Sequence, residues 1–312
     1  MRLALALLVL LVAPRARAHD HFLSPDVLIA DAPADVSVAH LVGEDFTRLE
    51  ERAAEPAAAT RFALLSGDAD AIDLRARIAP GTKPAIAVSL GVGAHLLVLD
   101  RKEVDITLPP AKFEAYLREE GLSAIVAARA ARGEATREGR ERYVRCLKAL
   151  VRIGAASDPM AGTRVIGQRL EIVPEHDPTD PTVSVIPVRL ALHGVPVVGH
   201  PITVHRRSGG TLHTTQLVTD ESGRVVLPLS NGAFLLRTVF MERCLGCEGA
   251  DWSSAWAAYT FGRGSGTVRM PSLSLERPVR RSRRGLLFAL FVGFTAAALF
   301  TCASRRSLGA DS

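Results

Sequence analysis

The sequence lacks the short signatures of catalysis. No nucleophile elbow, phosphate-binding loop or zincin helix occurs in its 312 residues, so nothing in it argues for an enzyme. Gly91-Val92-Gly93 has no third glycine and no following helix, which excludes a dinucleotide fingerprint. Basic charge is missing where a nucleic-acid binder would carry it. Of the net +5, the first 18 residues hold +3 and residues 276–312 hold +5, which leaves −3 on the body between them. Cysteine is scarce as well. Cys302 lies in a C-terminal apolar run, and the body has Cys146, Cys244 and Cys247, an odd number that leaves at least one free or paired between chains. Cys244-Leu245-Gly246-Cys247 reads first as a structural disulfide. Half a thiolate metal site and a redox pair are the alternatives; nothing nearby completes a zinc site, and no thioredoxin-like pattern surrounds it.

Two apolar runs are present, and they set the expected location. Residues 3–12 follow Arg2 without interruption, and Ala16-x-Ala18 supplies small residues for cleavage, so residues 1–18 read as an export signal. No cysteine follows that run, which excludes a lipoprotein signal. Residues 285–303 are long enough to span a bilayer as a helix. Residues 271–284 form a basic linker before it, and residues 304–312 a short tail after it. The expectation is an exported, periplasmic body anchored to the inner membrane. The arginines beside the helix suit anionic headgroups of its lipid, although the positive-inside rule would place that flank in the cytoplasm.

Cleavage after Ala18 would give His19 a free α-amine, with Asp20 and His21 following. The amine, two amide nitrogens and the His21 ring can hold Cu(II) or Ni(II) in a square of four nitrogens. The amine with the His19 ring is the other geometry. His19, Asp20 and His21 are therefore the candidate metal residues, for Ni(II), Co(II) or Cu(II). The plain alternative is a pair of histidines at the start of a strand.

The body reads as mainly β, in two β-sandwich-like units. Residues 19–164 form the first, with short runs at 27–29, 36–42, 61–65, 85–90 and 94–100 separated by Gly, Pro and Asp. Residues 50–59 read as a loop or short helix. A helical insertion is expected at 109–150. Phe113, Tyr116 and Leu117 share one face of its first helix, and Ser123 caps a second. Residues 132–142 read as a charged loop, and Tyr143, Leu147, Leu150 and Val151 as a further apolar stripe. Residues 165–270 form the second unit, with evenly spaced strands and the hairpin turn Asn231-Gly232, which argue for an immunoglobulin- or transthyretin-like sandwich. His205 and His213 flank one hairpin and could face each other, although surface histidines of this kind are more often solvated than ligating.

Several pieces in order resemble a bacterial family of exported proteins, the domain-of-unknown-function 4198 family. They are residues 18–25, beginning Ala18-His19-Asp20-His21-Phe22; Phe113 to Leu122; Glu141-Arg142-Tyr143 with Lys148-Ala149-Leu150-Val151; Gln168 to Glu175; and Ala250-Asp251-Trp252-Ser253-Ser254. The resemblance implies an exported all-β body. Some members are described as periplasmic components of nickel or cobalt uptake, which implies transporter subunits in the membrane as partners. Relatives usually carry an aromatic where His21 stands, and the Cys244–Cys247 insert is foreign to the pattern. The resulting expectation is a non-catalytic, membrane-tethered metal-binding module. A structural or adhesive envelope sandwich without metal is the rival.

Overall fold

A computed structural model describes residues 20–67, 69–155, 160–271 and 273. The export signal, His19, most of the basic linker, the expected spanning helix and the tail lie outside them. Among the described residues no helix is long and apolar enough to cross a membrane.

The chain opens with β1 (Asp20–Pro25), β2 (Val27–Ala30), β3 (Ala34–Gly43), β4 (Glu50–Arg52), β5 (Ala59–Ser66), β6 (Ile72–Asp73), β7 (Ile86–Leu90), β8 (Gly93–Arg101) and β9 (Val104–Leu108). Helices α1 (Pro110–Glu119) and α2 (Ser123–Ala131) follow, then the long β10 (Gly139–Ile153) and the single turn α3 (Met160–Thr163). The second half holds β11 (Leu170–Pro174), β12 (Val185–Leu192), β13 (Val195–Pro196), β14 (Pro201–Ser208), β15 (Thr211–Val218), β16 (Arg224–Pro228), β17 (Gly232–Arg243), β18 (Trp252–Arg263) and β19 (Val268–Arg269).

Three sheets result, and the largest is shared by both halves of the chain. Its eleven strands include the order β15-β14-β17-β18-β10-β8-β5-β6. β10 pairs in parallel with β18 and antiparallel with β8 and β9, so strands from either side of residue 164 form one ladder. Two four-stranded sheets complete the fold, β1-β3-β4 with β7, and β11-β12-β13 with β16. Side-chain alternation shows how the layers stack. On β8, Leu97 and Leu99 enter the core shared with Phe22, Val36 and Val38, while Leu96 and Val98 enter the core shared with Ile172, Val188 and Leu227. Successive strand residues point to opposite faces, so the large sheet is the middle of three layers and is buried on both sides.

This burial corrects the expected insertion. The helical part ends at Ala131, and residues 139–153 are a strand. Tyr143, Leu147, Leu150 and Val151 fit a helical stripe by spacing, but Leu147, Ala149, Val151 and Ile153 feed one core and Leu150 the other. A strand covered on both faces reads as a near-continuous apolar run, which periodicity alone does not separate from a buried helix. One smaller correction accompanies it: Ser123 is the first residue of α2 and caps nothing through its side chain. Residues 50–59 hold the short helix expected there, a 3-10 turn at Pro56–Ala58, preceded by the three residues of β4.

The two helices close one end of the middle sheet. Phe113, Tyr116 and Leu117 pack with Val239, Met241 and Trp252, as the shared helical face requires. Arg129, 1 % exposed, clamps the pair; its Nε donates to Glu114 Oε1 at 2.8 Å and its Nη2 to the carbonyls of Glu134 and Arg137. The start of β10 passes so close to α1 that a Cβ on Gly139 would lie 2.0 Å from the Phe113 ring. Gly139→Ala is expected to cost about 1–3 kcal/mol by overpacking. Urea unfolding would register this as a lower midpoint at constant slope, and an unchanged midpoint would show that the ring has room to move.

Candidate functional site

The first strand ends in a cleft of about 440 Å³ lined by Asp20, Glu44, Asp45, Glu119, Thr203, His205, Thr214, Gln216 and Arg237. Its floor is set by register. Thr203 pairs with Gln216 on one side and Arg237 on the other, and His205 pairs with Thr214, so polar side chains of β15, β14 and β17 share one face. Its rim is the turn after β3. Asp45 and Phe46 have φ of 50° and 53°, a left-handed conformation rare outside glycine. The turn is held from three sides. Phe46 is fully buried edge-on to Phe22, Arg207 Nε donates to the Phe46 carbonyl at 2.8 Å, and the Thr47 amide donates to the Glu44 carbonyl at 2.9 Å. Strained backbone fixed in this way is typical of sites rather than of plain connections.

The charges in the cleft are mixed. Arg237 lies between two buried carboxylates, with Nη1 donating to Glu120 Oε2 and Nε 2.8 Å from Asp20 Oδ1. The second contact is an ion pair without hydrogen-bond alignment, since neither atom gains a hydrogen-bond partner. Burial raises the Asp20 carboxyl to about 7, and Arg237 only partly opposes it. Burial raises Glu120 as well, against the pull of the same guanidinium. Glu44, Asp45 and Glu119 add three more carboxyl groups to the lining.

His205 is the unusual member. It is 1 % exposed, its Nδ1 lies 2.9 Å from Thr214 Oγ1, and its Nε2 has no hydrogen-bond partner. Burial, with Arg237 nearby, lowers its pKa to about 4, so the ring is neutral at physiological pH. In the tautomer that donates Nδ1–H to Thr214 Oγ1, Nε2 carries the free lone pair. An orphaned buried nitrogen is costly in a merely structural role. Sequence reasoning passed over this residue as a solvated hairpin histidine. His213 pairs with Arg206 in the register and not with His205, so the two histidines lie on opposite faces.

The residues expected from sequence separate. Asp20 lines the cleft. His21, on the opposite face of β1, places Nδ1 3.0 Å from His40 Nε2. Burial followed by Arg145 lowers the His21 pKa far below the usual range, and burial followed by Arg101 lowers His40 to about 3. The pair is therefore two neutral rings sharing one N–H, and the arginines around it repel a cation. β1 also holds Asp20 opposite Gly43 and His21 opposite Val42. A square of four nitrogens would need both residues released from β3. Cys244 and Cys247 are joined in a disulfide on the exposed β17–β18 hairpin, and Cys146 is buried and free. Among the described residues no three His, Cys, Asp or Glu side chains converge closely enough to hold a metal ion.

Fold and cleft together define a three-layer β protein with a charged, strained pocket at its first strand. The chain belongs to the family of the domain of unknown function DUF4198, which it matches over residues 16–242. A comparison with curated proteins finds no match.

Proposed function

We propose that this chain is an exported, membrane-tethered binding module, not an enzyme, that takes a divalent transition metal into the cleft at β1 for membrane transporter subunits. Nickel, cobalt and copper are the ions that suit imidazole nitrogen. The observation that carries the reading is His205, a neutral buried imidazole in the lining of the cleft whose Nε2 has no hydrogen-bond partner.

Titrating the purified full chain with Ni(II), Co(II) and Cu(II), beside His205→Ala, tests the reading. Loss of an outer-shell partner alone weakens metal sites by about 10–100-fold, so loss of a ligand is expected to weaken binding at least ~100-fold. No saturable binding to either would leave a structural envelope sandwich without metal as the better account, and equal affinity in both would take the metal site away from His205.

A further inference from the structure

A sheet ends in rows of unpaired N–H and C=O groups, and folds blunt such edges with short strands, charge or proline. Most edges of this fold are blunted. Among the described residues the terminal strands β1, β4, β6, β7, β9, β11, β13, β16 and β19 run two to six residues. All of them but the five-residue β7 carry a proline or a charged side chain. β15 is different. It closes one end of the eleven-stranded sheet, pairs with β14 alone, and runs eight residues, Thr211-Leu212-His213-Thr214-Thr215-Gln216-Leu217-Val218, without proline, carboxylate, lysine or arginine. Leu212 and Leu217 are half-buried and the other six residues are exposed, and the ladder to β14 runs without a bulge.

We propose that β15 is a self-association edge: two copies of the chain add their β15 strands antiparallel about a two-fold axis through Thr215. The inference does not rest on the metal-binding reading. The partner is a second copy because the strand is complementary to itself. Only alternate residues of an edge strand point N–H and C=O outward, and in a ladder outward residues must meet outward residues. The axis therefore passes through a residue, and in the middle of this strand that residue is Thr214 or Thr215. An axis through Thr215 sets Leu212 against Val218, Thr214 against Gln216 and Thr215 against itself, leaving only His213 against Leu217 mismatched. An axis through Thr214 would set Leu212 against Gln216 and Thr211 against Leu217. Threonine pairs stabilise neighbouring strands, and a strand without charge presents no like charge to its copy. Thr214 and Gln216 both line the cleft, so this register brings the two clefts side by side across the axis. One pair of strands buries less than a standard interface, below ~1,200 Å², so the dimer is weak and concentration-dependent.

The test uses the full chain in detergent, which keeps the apolar run at 285–303 in solution. Sedimentation velocity over a concentration series gives the dissociation constant. Thr215→Lys and Thr215→Glu each set like charges face to face at the axis, and each is expected to weaken the dimer at least ~10-fold. The side chain is exposed, so thermal melts of both variants should match the wild type. An equimolar mixture of the two is expected to restore association. Thr215→Cys is expected to form a disulfide between copies under mild oxidation, since opposed Cβ atoms lie about 4.5–5.5 Å apart. Thr211→Cys, whose opposite position falls beyond the end of the strand, is not. A monomeric wild type overturns the inference and leaves the edge to an extended segment of another protein. A dimer that both charged variants leave intact overturns it as well, by placing the contact elsewhere. Charged variants that stay apart when mixed, or cross-linking no better at 215 than at 211, overturn the register through Thr215.

Discussion

Glu171→Ala is expected to be the most damaging single truncation in the core, at about 3–5 kcal/mol. Lys148 sits in the middle of β10, 2 % exposed, and its Nζ donates to Glu171 Oε1 at 2.9 Å. The ring of Tyr259 lies 5.6 Å from Nζ to centroid, and Asp100 acts on the ammonium from farther off. Burial lowers the lysine pKa and Glu171 is what chiefly opposes it. Without the carboxylate the ammonium is left uncompensated between two packed layers and must give up its proton to remain there. The same carboxylate also accepts from the amides of Ile166 and Gly167, at 2.7 and 2.9 Å, so the truncation strands two backbone donors as well. For a body of this size such a loss lowers the melting temperature by roughly 6–20 °C. Lys148→Met is expected to cost less, because Glu171 keeps both amide donors. Calorimetric melts of the two variants that ranked them the other way would show that the pair is not organised around the glutamate.

The same residue illustrates how much was legible beforehand. Short apolar runs bounded by turn residues were readable, with one face wetter as in 36–42 of β3 or both faces covered as in 61–65 of β5 and 94–100 of β8. Helix α1 was readable from Phe113, Tyr116 and Leu117, and α2 was placed through Ser123, although that side chain caps nothing. β10 was not, because its run of 15 residues carries no turn residues to bound a short strand, and because Lys148 within it resembles the polar side of a helix. A partition at residue 164 was equally natural from turn spacing. The parallel pairing of Glu141–Ala149 with Trp252–Thr260, across about 110 residues of sequence, and the short pairing of β19 with β2 join the halves into one sheet. At the site, Asp20 was accessible to sequence reasoning through the leader. His205 was not. Thr203 and His205 alternate with buried Ile202 and Val204, a pattern that normally means solvent on the polar side. What covers that side is β1 and the Asp45–Phe46 turn, some 160 residues earlier, and no local pattern encodes such a contact.

Arg237→Met is the second large effect, and its sign depends on pH. The guanidinium is the shared counter-charge of Asp20 and Glu120, whose residues are 3 % and 7 % exposed. Asp45 and Glu119 also line the space before it, with Arg145 acting on both buried carboxyls from the other side. In the unfolded chain these carboxyls titrate near 4. In the fold burial raises both, Asp20 to about 7. The native state therefore holds protons that the unfolded chain has released, and its stability from these groups is present at low pH and lost as pH rises from about 4 through 7. Arg237 limits that loss in the wild type by stabilising the charged forms. Without it, two buried carboxylates face each other at alkaline pH, at a penalty of about 3–5 kcal/mol. At pH 5 the variant can keep both groups neutral, and most of the deficit should disappear. His205 works in the same direction, since removing Arg237 relieves one of the causes that lower its pKa. Urea midpoints of both proteins at pH 8 and pH 5 decide the matter. A gap that narrows toward pH 5 supports a guanidinium that keeps the floor of the cleft ionised. An equal gap at both values would mean that Arg237 acts through the packing of its stem, and that the carboxyls beneath the cleft are neutral with or without it.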